Sequence, residues 1–99
     1  MRIWVYGADS EQIQAMIGAG VGSGDTVAGA SVCAGEDSSF PQSGLTPAMS
    51  AAIQGKIDLL LVPRFELLGN KAKRAQTMEL FQTYGVSIKS VFRCGINSS

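Results

Sequence analysis

Residues 45–91 read LTPAMSAAIQGKIDLLLVPRFELLGNKAKRAQTMELFQTYGVSIKSV, and their punctuation predicts helix, buried strand, loop, helix, strand. Thr46-Pro47 is a start signal: an N-cap hydroxyl, then a proline at a position where the helix has no use for the missing N–H. Ala48, Met49, Ala52 and Ile53 form the expected buried face, and Gly55 ends the helix as a left-handed cap. Residues 57–62 (IDLLLV) are nearly all apolar, as in a central parallel strand covered on both faces. Residues 63–70 read as irregular loop. Residues 71–84 form the next helix, with Ala72, Ala75, Met78 and Phe81 expected inside and Lys71, Lys73, Arg74 and Gln82 in water. Gly85 stops it, and residues 86–91 (VSIKSV) alternate as a last strand.

Working outward, residues 2–6 (RIWVY) are a β-branched and aromatic run ending at Gly7, which predicts a buried strand. Asp9 or Ser10 then caps a short helix. Asp9 with Gln12 three residues later resembles a capping box, and Ile13, Met16 and Ile17 make a helical stripe that Gly18 and Gly20 end. After a turn at Gly22-Ser23-Gly24-Asp25, residues 26–32 make a thin strand whose apolar members are Val27, Ala28, Ala30 and Val32. Residues 33–44 are rich in Gly, Ser, Pro and acid, the composition of a mobile surface loop. Strands alternating with helices imply a three-layer α/β/α sandwich on a mostly parallel sheet of about four strands. Right-handed crossovers give the order 2-1-3-4. Ligands in such folds bind beyond the carboxyl ends of the strands at the switch point, here residues 7–10 and 63–70.

Composition narrows the chemistry. A chain of 99 residues, 45% apolar, makes one domain with a modest core, expected to span residues 1–99. No stretch is long and apolar enough to span a membrane, and residues 1–6 enter a strand pattern with no signal-peptide layout, so a cytoplasmic setting is expected. There is no histidine, and Cys33 and Cys94 lie far apart, so neither a metal site nor a His-based triad is expected, and no cofactor is implied. Net charge is zero but uneven. Residues 1–50 carry one base against five acids, whereas residues 51–99 carry seven bases against three acids. That asymmetry suits either a nucleic-acid face or two halves that attract each other within one fold. Lys71, Lys73 and Arg74, with Arg64 nearby, are the candidate DNA contacts. Trp4 and Phe65 are expected in the core.

The chain also resembles the catalytic domain of serine recombinases (resolvases and invertases). Tyr6-Gly7-Ala8-Asp9-Ser10 stands where that family has a Y-A-R-V-S-type motif, whose serine attacks a DNA phosphodiester. Residues 14–21 (QAMIGAGV) are similar to the first-helix ending R-A-L-x-x-A-G-V, with a shorter stretch between it and the serine. Leu45, Met49, Gly55, Ile57 and Asp58 match the approach to the third strand. Residues 64–70 (RFELLGN) align with K-L-D-R-L-G-R, and residues 81–88 (FQTYGVSI) with F-x-x-x-G-V-x-I. The likeness covers residues 1–92 and implies a resolvase-like fold, a DNA or recombinase-type protein partner, and homo-oligomers. It makes Ser10 and Glu66 the candidate catalytic residues. The four family arginines fall on Ala8, Gln42, Leu67 and Asn70, so the guanidinium groups that stabilise charge on a five-coordinate phosphorus are replaced. Neither the family's long dimerisation helix nor its helix-turn-helix is expected here.

Three functions fit this pattern. The leading one is a catalytically degenerate resolvase-like domain acting as an interaction module. The second is a DNA recombinase active only with a full-length partner that lends arginines. The third is a flavodoxin-like domain that binds a small molecule or anion, although a phosphate loop of the type G-x-x-x-x-G-K-[ST] is absent. In the order 2-1-3-4, Cys33 and Cys94 leave opposite edges of the sheet, beyond the roughly 4.4–6.8 Å Cα separation that a disulfide needs. Thiol titration of unreduced, denatured protein is therefore expected to find two thiols per chain, and an intramolecular bridge would contradict the strand order.

Overall fold

The computed structural model describes residues 1–33, 43–69 and 71–92. Its elements are β1 (Arg2–Gly7), α1 (Ser10–Gly20), β2 (Thr26–Val32), α2 (Thr46–Ile53), β3 (Leu59–Val62), α3 (Lys71–Thr83) and β4 (Ser87–Ser90), with short 3₁₀ turns at Ser43–Leu45 and Phe65–Leu68. The strands form one parallel sheet in the order β2-β1-β3-β4, as the sequence predicts. Ile3, Trp4 and Val5 pair with Leu59, Leu60 and Leu61, and Leu59 to Val62 pair in turn with Ser87 to Ser90. Most of the loop expected at residues 33–44, together with Gln42, Asn70 and Cys94, lies outside the described residues.

Strand alternation divides the interior into two cores. Ile3 and Val5 of β1 and Leu61 of β3 face α1, where Met16 completes the cluster and Ile13 and Ile17 pack around it. Tyr6, Leu60 and Val62 face the other way, against Ala48, Met49 and Ala52 of α2, Phe81 of α3, and Leu45, Ile57, Leu68 and Val86 from the connections. One helix on one face and two on the other is what right-handed crossovers require of this order. Trp4 and Phe65 are partly buried against the second core, as expected.

Both later helices end as predicted. Gly55 at φ +70° and Gly85 at φ +78° are left-handed caps. Lys56 N–H reaches Ala51 O at 2.8 Å, and Val86 N–H reaches Phe81 O at 3.0 Å, the outer bond of a Schellman motif in each case. The second motif also joins Phe81 to Val86 across the cap, and both are fully buried.

Several local readings are corrected. Thr46 is the first helical residue rather than the cap; the N-cap is Leu45, in αR conformation without a side-chain cap bond, because the 3₁₀ turn runs directly into α2. β3 and β4 are shorter than the apolar runs that suggested them: Ile57 and Val86 are buried but lie outside the ladder. Ile53 is 56% exposed, turned about 100° further round the helix than Ala52. On α3, Ala72 and Ala75 are exposed, and Thr77 joins Phe81 in the core instead. The cause is geometric. A spacing of three residues turns the helix by about 300°, so each step back from Phe81 drifts about 60°. Ala75 lies about 120° from Phe81 and Ala72 about 180°, while Thr77 and Arg74 stay within about 40° of it.

Two details hold the sheet's edge and start in place. The indole of Trp4 lies flat over Gly29, where any Cβ would collide with the ring. The ladder slips by one residue there, pairing Ile3 with Val27 but Trp4 with Gly29. Trp4 Nε1 donates to Ser31 Oγ at 3.1 Å, and Ser31 Oγ donates to Gly44 O at 2.6 Å, tying β1 and β2 to the approach of α2. At the start of the sheet, Arg2 holds Asp58 through Nε and Nη2, each at 3.2 Å, while Asp58 N–H bonds Arg2 O at 2.8 Å. The Arg2 side chain and backbone N–H together lower the Asp58 pKa below its usual value. Gly29→Ala is expected to cost about 1–3 kcal/mol in urea unfolding, as overpacking does. Trp4→Leu in the same chain should recover part of that loss, a non-additivity that distinguishes ring collision from strand propensity.

Candidate functional site

The sheet order places a crevice where topology predicts one, between the carboxyl ends of β1 and β3. It is an open cleft of about 370 Å³ lined by Ala8, Gln12, Pro63, Arg64, Leu67 and Phe92. Each lining residue has a local reason for its place. Ala8 follows the buried end of β1, and Pro63 follows Val62 at the end of β3, where its carbonyl accepts from Phe92 N–H at 2.9 Å. Leu67 projects from the 3₁₀ turn that follows, whose neighbour Leu68 anchors it in the core at 1% exposure.

Gln12 comes from the first turn of α1, where a reciprocal cap fixes it. Asp9 Oδ1 accepts from Gln12 N–H at 2.8 Å, and Gln12 Oε1 accepts from Ala8 N–H at 2.7 Å. The Asp9 half is what the Asp9–Gln12 spacing predicts, whereas the return bond goes to the N–H of Ala8, one residue before the cap, instead of to that of Asp9. The cap uses the backbone donors of Ala8 and Gln12 internally and sets a carboxylate at the helix start. An anion cradle at residues 7–10 is correspondingly unfavourable.

The candidate residues do not converge. Ser10 is the first residue of α1, exposed, and not among the groups lining the crevice. Arg64 supplies the one cation among the described lining residues. Lys71 and Arg74 border a different hollow with Phe65, Ala75 and Met78. The methylenes of Lys73 lie over Gly69, whose φ is +108°. The Glu66 side chain lies outside the described residues, as do Gln42 and Asn70. Arg64 and Lys71, neighbours in sequence, thus line separate concavities and do not form a pair of donors. Of the four positions at which the resemblance implies arginine, Ala8 and Leu67 both form the crevice wall. Two of the aligned positions thus meet in the crevice that the topology predicts, and both carry alkyl side chains. Among the described residues no group of three or more His, Cys, Asp or Glu side chains converges as a metal site would, and no helix is long and apolar enough to cross a membrane.

No protein-family model matches the chain, and no curated protein matches it by sequence. Solved structures do. The chain is similar to the C-terminal catalytic domain of ISC1926 TnpA, an IS607-like serine recombinase, with TM-score 0.74 and 19% identity over 98% of this chain and 73% of that one. It is also similar to the product of the first open reading frame of transposon ISC1904 from Sulfolobus solfataricus P2, with TM-score 0.65 and 7% identity over 99% of this chain and 70% of that one. At these identities the likeness is one of architecture. The chain has the fold of a serine recombinase catalytic domain, in agreement with the resemblance read from its motifs.

The capping geometry separates the roles of two adjacent residues. Asp9→Ala is expected to destabilise the protein by about 1 kcal/mol, the usual loss for a helix N-cap. Ser10→Ala, at an exposed first-turn position, should stay within about 0.5 kcal/mol of the parent. Equal losses in thermal or urea unfolding would show that Ser10 shares the cap.

Proposed function

We propose that this chain is a recombinase-type domain of the DNA-recombination lineage that has lost phosphoryl transfer and acts by contacting a protein partner. The observation that carries this reading is the crevice wall: Ala8 and Leu67 stand where the resemblance implies arginine, and Arg64 is the one cation lining the described crevice. A serine attacking a phosphodiester puts charge on the nonbridging oxygens, and without a metal that charge needs several aimed donors. Removing one donor of this kind typically costs a factor of about 10²–10³ in rate. Several lost together leave nothing measurable, and a nucleophile outside the crevice adds a failure of alignment. Within this reading the domain works in the cytoplasm, as a homo-oligomer or beside a recombinase-type protein on DNA. Catalysis, where it occurs, belongs to that partner.

Incubation with supercoiled DNA carrying recombination sites, followed by denaturing electrophoresis, is expected to reveal no covalent protein–DNA adduct. An adduct that disappears in Ser10→Ala would overturn the proposal. Restoring Ala8→Arg, Gln42→Arg, Leu67→Arg and Asn70→Arg together should still give no cleavage, because Ser10 would remain outside the crevice that positions 8 and 67 line. Cleavage by the quadruple variant would show that the missing donors alone account for the loss.

A further inference from the structure

One flank of α3 carries a second concavity that the recombinase comparison does not explain. Phe65, Lys71, Arg74, Ala75 and Met78 border an open hollow of about 270 Å³. Its floor is apolar. Phe65 packs its inner side on the main core, Met78 is half-buried, and Ala75, which the helical drift turns away from Phe81, is exposed. Lys71, Ala75 and Met78 follow one another at spacings of four and three residues, so they form a continuous stripe along the helix. Arg74 stands at the border between this stripe and the core. Its Nε is buried and has no hydrogen-bond partner among the described residues. Buried donors are almost always paired, and those of a cation most of all. The residue that carries this unpaired donor also lines the hollow.

We infer that this hollow is a docking site for an acidic amphipathic segment of a partner protein, one apolar side chain seating among Phe65, Ala75 and Met78 and one carboxylate being held by Lys71 and Arg74. The inference rests on the partner-contact reading and names the chemistry of that partner. Shape favours a side chain over a cofactor, since small-molecule sites bury most of their ligand whereas this hollow is shallow and open. Charge favours a carboxylate, and a guanidinium edge paired with an ammonium is a common means of reading acidic motifs. Duplex DNA fits less well. Its binding depends on several cations tracking the phosphates, whereas here Arg64 lines the other crevice, the Lys73 stem covers Gly69, and the chain is neutral overall.

The test is an NMR titration of the ¹⁵N-labelled full chain with a short synthetic helical peptide carrying leucines on one face flanked by glutamates. Companion titrations use the same peptide with Glu→Gln or Leu→Ser, and a short DNA duplex. Saturable shifts are expected at Phe65, Lys71, Arg74, Ala75 and Met78, and at the Arg74 Nε–H signal. Either altered peptide should bind at least about tenfold more weakly, equivalent to about 1.4 kcal/mol. Lys71→Gln and Arg74→Gln should each weaken the parent peptide by a similar factor. Ala75→Glu should abolish binding while leaving amide signals remote from α3 unchanged. Should Ala75→Glu perturb the fold, the exposed Lys71→Gln carries the test alone. Absence of saturable shifts, equal binding of the Glu→Gln peptide, or shifts of these residues by DNA and not by peptide would each overturn the inference. The DNA-cleavage assay reports on lost catalysis and this titration on the hollow, so the two readings fail separately.

Discussion

Burial of Leu59–Val62 on both faces is the constraint on which the remaining structure depends. Leu60 and Val62 go to one core and Leu61 to the other, each at 1% exposure or less. Fully burying such side chains stabilises a fold by about 1.5–3 kcal/mol apiece. That gain is available only if helices cover both sides and strands flank both edges. Parallel neighbours then require crossovers, and crossovers of one hand set α1 opposite α2 and α3. The crevice follows from the same arrangement, because β1 and β3 are adjacent yet their chains leave toward opposite faces.

Much of this was legible in the sequence, and the reasons differ by element. IDLLLV announces a covered strand because no surface strand tolerates such a run. Gly55 and Gly85 mark helix ends because their positive φ favours a residue without Cβ. The Asp9–Gln12 spacing marks a cap because it lets the Asp9 carboxylate accept from the Gln12 backbone N–H while the Gln12 side chain turns back to the backbone before the helix. The errors are equally physical. Thr46-Pro47 suggested a fresh start, but a 3₁₀ turn already carries the backbone into α2 in helical conformation. The stripe Ala72–Ala75–Met78–Phe81 appeared continuous as a pattern of threes, although a helix turns 3.6 residues per cycle.

The crevice was legible in position and less so in chemistry. Topology and motif alignment both pointed to the carboxyl ends of β1 and β3, and the crevice lies there. Alignment alone could not say that Ala8 and Leu67 both line it, nor that Ser10 does not. The hollow over α3 was missed, because Arg74 was grouped with Lys71 and Lys73 as solvated charge. A helical projection centred on Phe81 would have placed Arg74 within about 20° of the core direction, leaving Lys71 and Ala75 on the flank. That signal lies in residue spacing, which charge counting does not use.

The central claim is that the crevice no longer stabilises a five-coordinate phosphoryl group. Orthovanadate, a tetrahedral phosphate analogue that becomes five-coordinate on accepting a further oxygen ligand, probes the claim without requiring DNA, assembly or turnover, and transition-state mimics bind about 10²–10⁸ times more tightly than substrates where the donors are present. Titrating it into the labelled chain while following Ala8, Gln12, Arg64 and Leu67 is the most direct measurement. The account predicts no saturable change at these residues up to millimolar vanadate. Saturation at micromolar vanadate, lost on Arg64→Gln, would contradict it by showing that the crevice retains a working charge-stabilising site.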